Sequence, residues 1–327
     1  MRILSQLVGL AALLAVLVAG TSAEAQMTMR LGNIYPADHS IGKGTTRFAE
    51  LVAKKSNGQI KVEVFHDSAL GSEREVAESV KAGMLDLCVS GLAGVGRFAQ
   101  ALQVVELPYL YRDLDQIQRV GQAIRPDLEN LFGGVGLRVL AFYYLGPRDM
   151  VARRPIRGLD DMRGLKFRVP ESPMYVGMAR ALGANPTPIA FPEVYMALQS
   201  GVVEAAEGGV DTLWFNKWYE PAKQVALTHH ILQLFYLTMN DGAFQKLNPA
   251  QRQALVEAGW ESAEYQLDQL KMLNTQSLDK MKSAGATVIP IPDVTPFVNA
   301  LAPFNQKYAE GLGPGAANLL QRIKELK

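Results

Sequence analysis

Alternating strands and helices near the start of the chain constrain the fold more than any other feature. The patterns, in order, are a strand at 27–35 (MTMRLGNIY), a helix around Lys43–Lys55, a strand at 60–66 (IKVEVFH), a helix at 72–83 (SEREVAESVKAG) and a strand at 85–91 (LDLCVSG). This order predicts a parallel sheet with helices on its faces. Because ligands of such sheets bind outside the carboxyl ends of the strands, we expect a site in the loops that follow them.

Two long apolar segments predict strands that connect two lobes. They are LRVLAFYYLG at 137–146 and HHILQLFYLTMND at 229–241. Between them the chain forms a second set of α/β elements, so two crossings predict a hinged body. A helix that starts at Asn248-Pro249 and runs to about Lys282 would be roughly 50 Å long at about 1.5 Å per residue, enough to lie across both lobes.

The predicted division assigns residues 26–147 and about 237–280 to lobe I. Lobe II takes residues 148–236 and about 281–327. The chain has 327 residues, of which 48% are hydrophobic and 20% charged, and this size and composition suit a globular protein of two domains. A net charge of +1 provides no electrostatic argument for nucleic-acid binding.

Residues 1–25 have the pattern of a secretory signal peptide. Arg2 precedes the apolar run LVGLAALLAVLVAG, and Ala23 and Ala25 are small residues at the positions that a signal peptidase reads. Cleavage near Ala25 predicts a periplasmic protein. The alternative is an uncleaved membrane anchor, although the run is shorter than the roughly 20 residues that a membrane span requires.

Signatures of catalysis, metal binding and cofactor binding are mostly absent. We find no phosphate-loop motif, no glycine-rich dinucleotide fingerprint, no nucleophile elbow and no zinc-protease motif. His229 and His230 are adjacent, so on a strand their side chains point to opposite faces. The only cysteine, Cys88, lies in an apolar run and is typical of a buried small hydrophobic residue. We therefore expect no cofactor, no metal and no enzymatic activity.

Two arginines near predicted strand ends are the strongest candidates for a binding site. Arg148 follows the first long strand (YLGPRDM), and Arg168 ends the next one (KFRVP). A guanidinium offers a planar fork of donors that matches a carboxylate, and a bound carboxylate would neutralise a charge that is costly to bury. The alternative is an internal salt bridge, for example with Glu171 or Glu193.

Long motifs along the chain resemble the solute-binding proteins of tripartite ATP-independent periplasmic (TRAP) transporters. They are FAELVAKKSNGQIKVEVF, LGSEREVAESVKAGMLDL, LPYLYRD, MRGLKFRVPESPMY and ALGANPTPIAFPEVYMALQSGVVEAAE. The resemblance implies a two-lobed α/β periplasmic binding protein fold with hinge strands and a long helix across both lobes. It implies a small-molecule carboxylate as ligand, with Arg168 pairing to the carboxylate, Arg148 assisting and Phe191 lining the cleft. It also implies the TRAP membrane subunits as partners, and we expect a monomer.

One departure from the family pattern bears on the ligand. Many members end the ALQSGVVE block with a sequence like Gln-Glu-Asn-Pro, whose asparagine contacts the ligand, whereas this chain has Ala-Glu-Gly-Gly with Gly208 at that position. Either the pocket is wider here or a neighbour such as Asp211 replaces the contact. An aspartate would favour a ligand that donates hydrogen bonds, such as an amino acid or a cyclic amide acid. Alternatively, Asp211 caps the next helix.

The first lobe supplies weaker candidates at the mouth of the cleft. Tyr35 and His39 fall in the loop after the first strand, and Ser90 to Leu92 follow the third. Glu73, in LGSERE, lies where relatives sometimes place a polar cleft residue. The alternatives are packing on the hinge for Tyr35 and a solvated first helical turn for Glu73.

Three classes of function are compatible with the sequence. The first is a binding protein that delivers an organic acid to a TRAP-type transporter. The second is a binding protein that delivers its ligand to a membrane sensor. The third is a secreted enzyme built on the same fold, which no motif predicts.

Overall fold

The computed structural model describes residues 26–326, so the predicted signal peptide at 1–25 lies outside the described residues. A single sheet organises this part of the chain. Its strands are β1 Met27–Gly32, β2 Ile60–Phe65, β3 Leu87–Ser90, β4 Leu137–Ala152, β5 Lys166–Val169, β6 Asn185–Pro188, β7 Ala205–Gly209, β8 Gln224–Asn240 and β9 Thr287–Pro290. In the sheet they lie in the order β2-β1-β3-β8-β4-β7-β5-β6, and β9 pairs with β8.

Helices cover the sheet. In chain order they are α1 Ser40–Lys55, α2 Glu73–Lys81, α3 Leu114–Ala123, α4 Arg125–Gly133, α5 Pro173–Ala181, α6 Val194–Ser200, α7 Val210–Phe215, α8 Asp241–Lys246, α9 Pro249–Ser283, α10 Thr295–Gly311 and α11 Pro314–Glu325. Within residues 26–326, no helix combines the length and the apolar character needed to cross a membrane.

The long strands β4 and β8 join the two halves of the molecule. They pair antiparallel from Leu137 opposite Asn240 at one end to Ala152 opposite Gln224 at the other. The first half adds β1, β2 and β3, in which β1 lies parallel to both neighbours. The second half adds β5, β6, β7 and β9. The predicted α/β class with two lobes joined by long strands is confirmed, while the boundaries predicted for the lobes stay a prediction.

An irregularity in the pairing of β4 with β8 lies at Arg148. The register shifts between Leu145 and Arg148 and again between Arg148 and Met150. On β8, His229 has a left-handed backbone with φ of +46°. Such bulges redirect side chains. Here the irregularity places Arg148 where the two halves of the sheet meet.

Helix α9 begins at a capping box, in which Asn248 and Gln251 exchange hydrogen bonds between side chain and backbone. It packs against α1, β4 and α7, and therefore contacts both halves. Gly259 permits this packing, because a Cβ at that position would lie 2.8 Å from the carbonyl oxygen of Leu140 on β4. The long helix predicted across both lobes is thus present.

Candidate functional site

A narrow cavity of about 30 Å³ lies between the two halves of the sheet. Its wall combines two arginines, five aromatic rings and a few polar groups. The lining residues are Tyr35, Ser72, Glu73, Ala93, Arg148, Arg168, Pro170, Glu171, Tyr175, Ile189, Ala190, Phe191, Thr212, Trp218, Gln233 and Phe235.

Arg168 reaches the cavity from the end of β5, and it is buried. Its Nε and Nη2 atoms donate to the carbonyl oxygen of Ile189, at 3.0 Å and 2.7 Å. Within residues 26–326 no carboxylate lies within salt-bridge distance of Arg168, so Glu171 and Glu193 are not its partners. Burial is the main reason that the pKa of Arg168 is lowered to about 10; the nearby charge of Glu207 opposes this shift and that of Arg148 adds to it. The group stays cationic at neutral pH.

The sequence left open an internal ion pair between an arginine and a carboxylate. The structure contains such a pair, and its arginine is Arg148. Its Nε donates to Oε2 of Glu207, and its Nη2 donates to Oε1 of Glu207 at 2.7 Å. Nη1 of Arg148 also donates to the side-chain oxygen of Gln233. Burial alone would raise the pKa of Glu207, yet the adjacent guanidinium lowers that pKa to about 2. Arg148 is therefore largely neutralised by the protein, whereas Arg168 is not.

A second buried carboxyl group, that of Glu106, holds another residue of the cavity wall in place. Tyr175, whose ring centroid lies 5.2 Å from Cζ of Arg148, donates its hydroxyl to Oε2 of Glu106 at 3.1 Å. Burial raises the pKa of Glu106 well above its ordinary value. The hydrogen bond to Glu106 holds the Tyr175 ring in place.

Trp218 and Thr212 occupy the space next to Gly208. A Cβ at Gly208 would lie 3.3 Å from Cγ2 of Thr212 and 3.4 Å from Cζ3 of Trp218. The indole also lies beside Phe191, with ring centroids 5.3 Å apart, and its ring centroid is 5.6 Å from Cζ of Arg168. Thr212 and the Trp218 indole thus leave no open space beside Gly208.

Glu73 and Ser90 lie side by side, but only Glu73 lines the cavity. Oε1 of Glu73 accepts from the backbone N–H of Gly91 at 2.7 Å and lies 3.4 Å from the Ser90 hydroxyl. Enclosure by the protein raises the pKa of Glu73, and the N–H groups of Gly91 and Gly94 oppose that shift. Ser90 is fully buried and supports Glu73 from behind the wall.

Asp211 does not line the cavity. Its carboxylate accepts from the Ser40 hydroxyl at 2.6 Å and from the Thr212 backbone N–H at 2.8 Å, and lies 3.3 Å from Nε2 of His39. Burial raises the pKa of Asp211, but the adjacent His39 ring and these hydrogen bonds outweigh burial and lower it. Gly209, not Asp211, is the N-cap of α7. The structure brings Tyr35, Glu73, Arg148, Arg168 and Phe191 together and leaves Gly208, Ser90 and Asp211 behind the wall.

Sequence reasoning missed several residues that line the cavity or hold its lining in place. Gln233 is a polar residue in the middle of an apolar strand, which is a detectable signal. Tyr175 lies on the helix that follows Arg168, and Glu207 directly precedes the Gly208 that the motif comparison singled out. Trp218 carried no signal, because only the packing shows that it fills the space beside Gly208.

Comparison with known sequences gives a consistent set of relatives. A profile described as "Bacterial extracellular solute-binding protein, family 7" matches residues 31–311. The 2,3-diketo-L-gulonate-binding periplasmic protein of Escherichia coli (strain K12) is 30% identical over 309 residues, which cover 94% of each chain.

Solved structures have the same architecture. A TRAP periplasmic solute-binding protein from Roseobacter denitrificans with bound β-D-glucuronate has a TM-score of 0.87 at 32% identity, covering 91% of this chain and 99% of that chain. One from Xanthobacter autotrophicus Py2 with bound β-D-galacturonate has a TM-score of 0.87 at 31% identity, with the same coverage.

Proposed function

Because this chain belongs to the bacterial extracellular solute-binding proteins of family 7, we propose that it captures a small organic acid and delivers it to the membrane subunits of a TRAP-type transporter. The family predicted from the sequence motifs is confirmed. The observation that carries the proposal is the buried guanidinium of Arg168, which lacks a carboxylate partner among residues 26–326.

The geometry of Arg168 leaves one edge of its fork for a ligand. Ile189 occupies the Nε–Nη2 edge through a single carbonyl oxygen. The Nη1–Nη2 edge has no hydrogen-bond acceptor within the described residues, and this edge matches the two oxygens of a carboxylate. A bound carboxylate would therefore supply the counter-charge that no carboxylate of the described residues provides to Arg168.

The charges around the cavity favour a single carboxylate. Glu207 already pairs with Arg148, whereas no carboxylate among residues 26–326 lies within salt-bridge distance of Arg168. Glu73 adds an acidic group that would repel a second carboxylate but accept a hydrogen bond from a hydroxyl group. We propose a monocarboxylate that carries several hydroxyl groups, the chemistry of the uronates bound in the similar structures.

The alternative of an amino acid or cyclic amide acid depended on Asp211 facing the ligand. The Asp211 oxygens are instead occupied by Ser40, His39 and Thr212. Asp211 therefore does not support an amino acid or cyclic amide acid as the ligand.

The cavity must widen before such an acid enters, because an open volume of about 30 Å³ holds only one or two water molecules. We propose that the two halves separate about β4 and β8, and close again once the carboxylate pairs with Arg168. Closure would exclude water and strengthen the charge-assisted hydrogen bonds.

We propose further that the protein is exported, acts as a monomer and returns its ligand unchanged. Mass spectrometry of the exported protein would find Gln26 at the amino terminus, and light scattering would give the mass of one chain. Nuclear magnetic resonance of D-glucuronate incubated with the protein would show no new species.

A thermal-shift panel tests the ligand class, because a ligand that binds the folded form raises the melting temperature. The panel contains D-glucuronate, D-galacturonate, aldonates, succinate, amino acids and a neutral hexose. We expect the sugar monoacids to raise the melting temperature and the neutral hexose to have no effect. A shift with succinate alone, or with amino acids alone, would contradict the proposed class.

A further inference from the structure

A fully buried hydrogen-bonded group joins the two halves of the molecule behind the cavity wall. Ser40, at the start of α1 in the first half, donates its hydroxyl to Oδ2 of Asp211, at the start of α7 in the second half, at 2.6 Å. Nε2 of the neighbouring His39 lies 3.3 Å from the same Asp211 oxygen and 3.0 Å from Oγ1 of Thr212. Ser40, His39 and Asp211 each have no exposed surface.

The hydrogen bonds of His39 fix its tautomer. Nδ1 of His39 accepts from the backbone N–H of Ile41 at 3.1 Å and thereby caps α1. A ring nitrogen that accepts carries no proton, so the ring proton is on Nε2 and points to Asp211 and Thr212. Asp211 is consequently surrounded by three donors, the Ser40 hydroxyl, the His39 ring and the Thr212 backbone N–H, and the first two come from the other half of the molecule.

The same group also contacts the ligand cavity. The His39 ring stacks on Tyr35 with ring centroids 4.1 Å apart and planes 14° apart. Tyr35 in turn packs edge-on against Phe191 at 5.0 Å and Phe235 at 5.4 Å, and all three rings line the cavity. Thr212, which His39 also contacts, lines the cavity as well. Contacts of the buried group therefore reach the cavity wall through Tyr35 and through Thr212.

We propose that His39, Ser40 and Asp211 form an interlobe clasp that stabilises the closed arrangement and so lengthens the residence time of the ligand. These residues touch no ligand and act as positioning residues. Separation of the halves removes the Ser40 and His39 donors from Asp211 and exposes the carboxylate to water. Because the contacts include no ligand atom, the clasp stabilises closure with or without ligand.

The test compares Ser40→Ala with Ser262→Ala, a matched loss of a buried serine hydroxyl. Ser262 donates to the Gly259 carbonyl at 2.7 Å and lies 2.9 Å from the Tyr143 hydroxyl, so it connects α9 with β4 and takes no part in the clasp. The probe is D-glucuronate, and stopped-flow tryptophan fluorescence reports its release. We expect Ser40→Ala to release D-glucuronate about tenfold faster, as the loss of one hydrogen bond to a charged group implies, with an association rate changed less than threefold.

Equal release rates in the two variants would overturn the clasp. This arm rests on the proposed function, because it needs D-glucuronate to bind. A second arm does not. Spin labels at Ala69→Cys and Glu193→Cys, exposed positions in the first and second halves, report the separation of the halves without ligand in a Cys88→Ser background. The clasp predicts a longer mean distance with Ser40→Ala than with Ser262→Ala, and equal distances would overturn it even if D-glucuronate fails to bind.

Discussion

The guanidinium of Arg168 donates two hydrogen bonds to one oxygen, the carbonyl of Ile189, and pairs with no carboxylate in residues 26–326. Twenty positions earlier in the chain, Arg148 is held by both oxygens of Glu207. The two arginines of the cavity thus differ in their partners: a carboxylate pairs with Arg148, and a backbone carbonyl with Arg168. Arg168 is the proposed partner of the ligand carboxylate, whereas Arg148 is paired within the protein.

The Arg148–Glu207 pair makes the free energy of unfolding decrease as the pH falls through the acidic range. Because the pKa of Glu207 falls from an ordinary value of 4.5 to about 2 in the folded protein, its contribution is complete above pH 4.5 and is lost as the pH falls toward 2. The loss is on the order of 3 kcal/mol at about 1.4 kcal/mol per pKa unit. Urea unfolding of the wild type and of Glu207→Gln between pH 5 and pH 3 checks it. The wild type should lose more free energy of unfolding than the variant, and parallel pH profiles would contradict the assignment.

Glu73 should set the discrimination against diacids. Glu73→Gln removes an acidic group from the cavity wall but keeps a hydrogen-bond acceptor, so succinate should bind more tightly relative to D-glucuronate by about tenfold, since like-charge repulsion is relieved. Isothermal titration calorimetry with both acids measures the ratio. Glu75→Gln is the matched control, because Glu75 lies on the same helix outside the cavity wall and glutamine preserves its capping box with Ser72. An unchanged ratio in Glu73→Gln would exclude this role.

Cys88 should be inert in the folded protein. The thiol is fully buried, and burial raises its pKa to about 12, so the reactive thiolate is scarce at neutral pH. A colorimetric thiol reagent should leave the native protein unlabelled and titrate one thiol per chain in concentrated guanidinium chloride. Rapid labelling of the native protein would show that the strand β3 is not packed as described.

The sequence predicted elements that depend on local patterns. The periodicity of β1 to β3, the two long strands and the capped helix α9 all follow from local alternation and from Asn248-Pro249. Arg168 was detectable because a guanidinium at the end of an apolar strand needs a partner. These features require no knowledge of distant residues.

Contacts between distant segments were not predictable in the same way. The partner of Asp211 is Ser40, which lies 171 positions away, so no local pattern distinguished a ligand contact from a contact between the two halves. The partner of Arg148 depends on the irregular pairing of β4 with β8. Trp218 replaces the side chain that Gly208 lacks only because the loop after α7 folds back against β7.

The most direct test of the central claim is calorimetry of D-glucuronate binding to Arg168→Met, with Arg180→Met, an exposed arginine on α5, as control. Methionine keeps an apolar side chain of similar length but removes the charge. We expect Arg168→Met to weaken binding at least a hundredfold, since a buried charged hydrogen-bonding partner is lost, and to keep or raise the melting temperature, because an uncompensated buried charge is removed. Arg180→Met should match the wild type in both. Wild-type affinity in a folded Arg168→Met variant would contradict the account.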